Sequence, residues 1–276
     1  MNRIDALAHI SNQVQRGELN FSTGLGVSFN IYRALDQPDC HIDRAAQLLR
    51  GEPLISARIV AIANSAIYNR GGQNITDLRN ALSRIGLKTA RTLTMAVATR
   101  QLAGQPNDPA LRAAASQLWE HTAHVAALAH VIARRVTHLD AETALFAGII
   151  HEMAGFYLIS RASDFPGLLD GDPGDWTERV EPEISRTLFN RLSIPETVSA
   201  AVAATWEGLL AFPPTSLGDT LLLANELSPT PSPLYTSREI AHSTPEIDAV
   251  INHETLSQIL EEAAQEVASL TEALRF

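Results

Sequence analysis

The stretch Ala141–Leu158, AETALFAGIIHEMAGFYL, is apolar around nearly the whole circumference of a helix. A helix of that kind is stable only when other elements surround it. Ala144, Ala147 and Gly148 are small enough to let a neighbouring backbone approach closely. The densest apolar run, Ala144–Ile150, falls far short of the roughly 20 residues that cross a bilayer, so no membrane span is expected. At its end stand His151 and Glu152. Two ionisable side chains there are costly unless paired, capped or metal-bound.

The rest of the chain can supply the surrounding helices. Only 5% of its 276 residues are aromatic, and period-2 alternation is scarce, which favours helices over strands. Pro53, Pro182, Pro195 and Pro245 stand at plausible first turns, and Asp140 and Asp175 read as N-caps. Gly86 separates two periodic stretches, Asp77–Ile85 and Leu87–Leu102, and predicts a tight helix–helix turn. About a dozen helices with short connections result, without an internal repeat. The non-helical stretches are Ala103–Asp108, Ser163–Gly174, Ala211–Thr215 and Ser228–Pro233. The last, SPTPSP, reads as an exposed linker or loop leading to a long amphipathic C-terminal helix, Thr255–Leu274.

The expected layout is an N-terminal helix over 1–20, a main domain over 21–227, and a linker with the C-terminal helix over 228–276. A division near Leu102–Asn107 splits the main domain into halves 21–103 and 108–227, which can still share one core.

Charge and cysteine content narrow the function. With 21 Lys+Arg against 31 Asp+Glu, the net charge of −10 argues against a dedicated binder of nucleic acid or anionic membranes. The single cysteine, Cys40, excludes an intrachain disulfide framework and suits a reducing compartment. The opening MNRIDALAHISNQVQR lacks the continuous apolar run of a signal peptide, so a cytoplasmic protein is expected. Two helices meeting at Gly86, with positive charge from Arg79, Arg84, Lys88, Arg91 and Arg100, superficially suggest a helix-turn-helix. However, Leu93, Met95, Ala96 and Val97 make the second helix a core helix, and the charges read as a solvated face.

Two further stretches carry polar groups in apolar surroundings. In PLISARIVAIANSAIY, the pair Asn64-Ser65 must find hydrogen-bond partners, and Asn64 is expected to tie down backbone at a helix end. In LWEHTAHVAALAHVIARRV, Leu118, Val125, Leu128, Ala129, Ile132 and Val136 form one apolar stripe. His121 falls within it, His124 lies on its flank, and His130 is expected to face solvent on the opposite side.

These stretches resemble the HDOD family, a helical and largely non-catalytic branch related to the HD phosphohydrolases. The similarity is carried by EPLISARIVAIANSAIY with Asn64-Ser65, by ITDLRNALSRIGLKTARTL with Ala81 and Ile85-Gly86, by LWEHTAHVAALA, and by FAGIIHEMAGFYL. It runs from about Phe21 to Leu227. The resemblance implies an all-α, HD-domain-like multi-helix bundle with an N-terminal helical subdomain.

HD phosphohydrolases hold one or two metals through a His, a His-Asp pair and a later Asp. By position these would be His121, His151-Glu152 and Asn225. Glu152 is one methylene longer than Asp, which displaces its carboxylate by about 1.5 Å, a C–C bond. Asn225 replaces a charge with an amide, where divalent cations favour oxyanions. No Gly-Tyr-Pro signature, GxxxxGK[ST] loop or GxSxG elbow appears.

The resemblance therefore implies a bacterial signalling or regulatory protein that acts through protein partners, with a vestigial metal site and no required cofactor. Homodimerisation stays open. The alternative is a metal-dependent phosphohydrolase of a nucleotide or other phosphate ester, with a divalent metal on His121, His151 and Glu152 and with Asp219 supplying the missing carboxylate. Thr255–Leu274 is either a partner-binding helix or a helix docked on its own domain.

Overall fold

The structure is a computed structural model that describes residues 2–19, 25–178, 180–208, 211, 213–235 and 254–275. Helices make up the fold, and no strand occurs among the described residues. The N-terminal elements are α1 (Arg3–Gln15), α2 (Leu25–Leu35), α3 (Ile42–Leu49), α4 (Pro53–Ala63) and α5 (Leu78–Leu102). Then follow α6 (Pro109–Ile132), a π-helical turn (Ala133–Thr137), α7 (Ala141–Ile150), α8 (Met153–Ala162), α9 (Gly174–Thr177) and α10 (Val180–Leu192). The last are α11 (Glu196–Glu207), α12 (Leu217–Glu226) and α13 (Glu254–Leu274).

The N-terminal helices turn where the polar residues of the sequence require it. The Asn64 amide donates to the Ile75 carbonyl at 2.7 Å and accepts the Ile75 N–H at 2.8 Å, so one side chain closes the loop between α4 and α5. The Ser65 hydroxyl donates to the Ile62 carbonyl at 2.7 Å. An Asn64→Ala protein would leave two backbone groups of Ile75 without these partners and should lose about 1–3 kcal/mol in urea unfolding. A loss below a few tenths would show that water replaces the amide. Within α5, Gly86 sits at φ 79°, ψ 168°, a break that a side chain would strain, and two helices meet there as the sequence predicts.

At the centre α7 lies against α6. A Cβ added to Gly148 would stand 2.5 Å from the Ala126 Cα and 2.9 Å from its N, which is why a residue without a side chain occupies that crossing. The apolar length Ala141–Ala162 would satisfy a membrane-span test by length and composition. Its 18-residue apolar window is instead 89% buried within the protein, and the helix is interrupted at His151-Glu152. One core joins Ile10 of α1, Leu82 of α5, Val125 of α6, Leu188 of α10 and Leu270 of α13, so the two halves are not separate packing units. The first helix, α1, crosses to the C-terminal half. Arg3 pairs with Asp175 at 2.5 Å and donates to the Leu168 carbonyl at 3.1 Å.

Two local expectations need correction. His130 does not face solvent: it is buried, with Nε2 3.5 Å from the Glu142 carboxylate and its ring beside Tyr68. The reason is that α7, α12 and α13 all pack on α6, so the helix has no fully solvated side along that length. Asp175 is not an N-cap but lies inside α9; the Asp172 carboxylate accepts the Gly174 N–H at 2.9 Å instead. Pro182 is in the first turn of α10 and Pro195 directly precedes α11, while Pro245 lies outside the described residues.

Asp140 does cap α7, accepting the Thr143 N–H at 2.7 Å and pairing with Lys88. Partial burial pushes its carboxyl up, but Lys88 and Thr143 outweigh that and hold it down at about 2. A depressed carboxyl stabilises the fold above its unfolded value, about 4, and that stability is lost as pH falls toward 2. Asp140→Ala should therefore cost about 1 kcal/mol at neutral pH. The deficit should shrink in urea titrations carried from pH 4 downward; a deficit constant with pH would contradict the assignment.

Candidate metal centre

His121 enters the core from α6, and His151-Glu152 form the turn between α7 and α8. Asn225 comes from the last turn of α12. The four side chains meet at one cavity of about 280 Å³. The Nε2 atoms of His121 and His151 are 3.3 Å apart, and Glu152 Oε1 is 3.6 Å from His121 Nε2. One ligand atom from each of His121, His151 and Glu152 lies within 4.8 Å of the others, and all three residues are buried. The Asn225 side chain lines the same cavity beside both imidazoles.

The tautomers follow from the outer nitrogens. His151 Nδ1 faces the Gly148 carbonyl at 2.7 Å, and His121 Nδ1 faces the Thr230 carbonyl at 2.8 Å. A carbonyl only accepts, so each Nδ1 carries the hydrogen and donates it. Burial lowers both histidines, His121 to about 4 and His151 to about 3, the latter also because His121 is beside it. Both rings are then neutral at pH 7, and each Nε2 presents a lone pair toward the other and toward the Glu152 carboxylate.

Converging lone pairs at this spacing are unfavourable unless a cation or a donor stands between them. Imidazoles held by carbonyls at the outer nitrogen are the usual arrangement of metal-ligating histidine. The donor set, two imidazoles with a carboxylate and an amide, fits one divalent cation. An amide can also answer the lone pairs without metal, because its NH₂ offers two donors where an Asp would offer none.

Asp219 does not join this group. Its carboxylate accepts the N–H groups of Ala211 at 3.0 Å, Thr215 at 3.0 Å and Ser216 at 2.9 Å, and with Ser216 it forms a capping box at the start of α12. Of the α12 side chains Asn225 and Asp219, the first lines the cavity and the second does not.

The expectation that Ser228–Pro233 is an exposed linker also needs correction. The segment continues to Tyr235 as a strap over the cavity: Ser232 and Leu234 are buried, and Thr230 is the acceptor for His121. The Pro231 carbonyl accepts from Gln117 at 3.1 Å, and the Tyr235 hydroxyl donates to buried Glu181 at 2.6 Å. Leu234 fills the space left by Gly155, where an added Cβ would meet its Cδ1 at 2.5 Å. The α13 helix packs on α4 and α6 of its own chain: Trp119 Nε1 donates to the Leu274 carbonyl at 3.0 Å, and Arg134 pairs with Glu266. Asn64, Ser65 and Gly86 lie in the α4–α5 region and shape backbone there. Cys40 is a free, partly buried thiol whose pKa burial raises.

A helical bundle with paired histidines at the α6 and α7–α8 positions is an HD-type fold. The chain belongs to the HDOD domain family, whose profile matches residues 25–173. That span includes His121, His151 and Glu152 and stops short of Asn225. A protein from Shewanella amazonensis, described as a candidate metal-dependent phosphohydrolase, superposes with a TM-score of 0.75 at 18% identity, over 99% of this chain and 100% of its own. An HDOD domain protein of unknown function from Geobacter sulfurreducens gives 0.64 at 19% identity, over 99% and 97%. A candidate signal transduction protein from Marinobacter aquaeolei gives 0.58 at 17% identity, over 90% of this chain and 58% of its own. At such identities the likeness shows the all-α HD-like fold. A search of curated proteins found no match.

Proposed function

We propose that this chain is a regulatory, non-hydrolytic HDOD protein that acts through protein partners, and that its HD-derived cavity holds a single divalent cation. The observation that carries this reading is the amide of Asn225 beside both imidazoles, with the nearby Asp219 committed to the backbone of α12. Family membership and a structural neighbour described as a signal transduction protein support the regulatory role.

His121, His151 and Glu152 would hold the cation, and Asn225 would add a neutral ligand. When bound, such a cation supplies Lewis-acid polarisation and makes bound water more acidic. Dinuclear hydrolytic centres add a second cation about 3.5–4 Å away, which requires further anionic bridging groups. Among the described residues Glu152 is the only carboxylate grouped within 4.8 Å of the two imidazoles, and it reaches toward His121, while Glu181 and Glu226 line the cavity outside that group. The chain's own groups therefore favour retention of a cation over turnover of a phosphate ester.

The test is hydrolysis of bis(p-nitrophenyl) phosphate by the full chain with added Mn²⁺. The expected rate is that of His151→Ala protein under the same conditions. Turnover that the His151→Ala change abolishes would replace this reading with the phosphohydrolase one.

A further inference from the structure

We infer that the strap Ser228–Tyr235 is a positioning element of the cation site, and that it ties occupancy of the site to the C-terminal part of the chain. This rests on the cation-holding reading above and names how that site is regulated.

The argument starts from the Thr230 carbonyl. Its 2.8 Å contact fixes the His121 hydrogen on Nδ1 and so aims the Nε2 lone pair at His151 and Glu152. His151 receives the same service from Gly148, a residue inside a buried helix. His121 receives it from a segment with no secondary structure of its own, held at only a few points. They include Gln117 on the Pro231 carbonyl, the Thr230 hydroxyl 3.5 Å from His124 Nδ1, Tyr235 on Glu181, and Leu234 in the space beside Gly155. Ser228, Pro231, Ser232 and Tyr235 also line the cavity. The strap follows directly on α12, which carries Asn225, and the chain runs on from it to α13. One short segment thus sets a ligand's tautomer, covers the cavity and lies between the amide and the terminal helix.

An imidazole that gives its Nε2 lone pair to a cation makes a stronger donor at Nδ1, so occupancy should tighten the strap. Coupling of this kind is reciprocal: the factor by which the closed strap strengthens cation binding is the factor by which the cation favours the closed strap. Outer-sphere partners of ligating histidines typically change metal affinity about 10–100-fold.

Two measurements test this on the full chain with Zn²⁺ as the probe. In hydrogen exchange, Zn²⁺ should slow the amides of Thr230, Ser232, Leu234 and Tyr235 at least tenfold. In titration calorimetry, a Leu234→Ala, Tyr235→Phe protein with unchanged helical circular dichroism should bind Zn²⁺ about tenfold more weakly or worse. Strap amides indifferent to Zn²⁺, an affinity within twofold of the parent, or no Zn²⁺ binding by the parent would each overturn the inference. The exchange measurement needs no variant, so a poorly folded double mutant would not decide the question. Failure of the non-hydrolytic reading is seen separately, as phosphodiester turnover.

Discussion

Gly148→Ala should destabilise the protein by about 3 kcal/mol, at the upper end of what overpacking a close-packed core ordinarily costs. The added methyl would meet the Cα and N of Ala126 at 2.5 and 2.9 Å, and those are backbone atoms of a helix, which cannot swing aside as a flexible side chain could. To relieve the contact, α7 must move away from α6, and with it the Gly148 carbonyl that holds His151. The same substitution at Gly51, where no atom lies within 4 Å of the new Cβ, should change stability by less than about 1 kcal/mol. Urea unfolding of the two variants beside the parent makes the comparison. Equal small losses would mean that the α6–α7 crossing is looser than these distances allow.

Asn225→Asp should have the largest effect on binding. The change restores a charge next to two neutral imidazoles and removes the amide donor that answers their lone pairs without metal. Zn²⁺ affinity should rise by a factor on the order of 100, because hard and borderline divalent cations gain from each added anionic oxygen. The metal-free variant should lose stability, about 1–3 kcal/mol, since a partly buried carboxylate would then face the Glu152 carboxylate and two acceptor nitrogens. Calorimetric titration and unfolding in the presence of a chelator measure the two halves of this expectation. An unchanged affinity would place the Asn225 side chain outside the cation's reach.

The residues differ in how plainly they announced their places. The burial of α7 was legible because a helix apolar all round admits one environment, and Gly148 followed from the need for close approach. That His121, His151, Glu152 and Asn225 converge on one cavity was legible through the family resemblance, which supplied a spacing that periodicity alone does not. The direction of His130 was misread because a helical wheel assumes one buried face, whereas α6 is covered by three helices along that length. The strap was misread for a different reason. A Ser/Thr/Pro run has no apolar period, and its contribution to the site is a main-chain carbonyl at Thr230, a group every residue carries. Asp175 falls inside α9 because that helix begins at Gly174, earlier than the sequence placed it, and the carboxylate that accepts a backbone N–H there is that of Asp172.

Crystals grown with Mn²⁺ and measured for anomalous scattering give the most direct reading of the cavity. The expected map has one peak among His121 Nε2, His151 Nε2 and the Glu152 carboxylate, with the Asn225 amide beside it. Two peaks bridged by a shared oxygen would contradict the single-cation, non-hydrolytic reading, and an empty cavity at saturating Mn²⁺ would contradict the proposed cation itself.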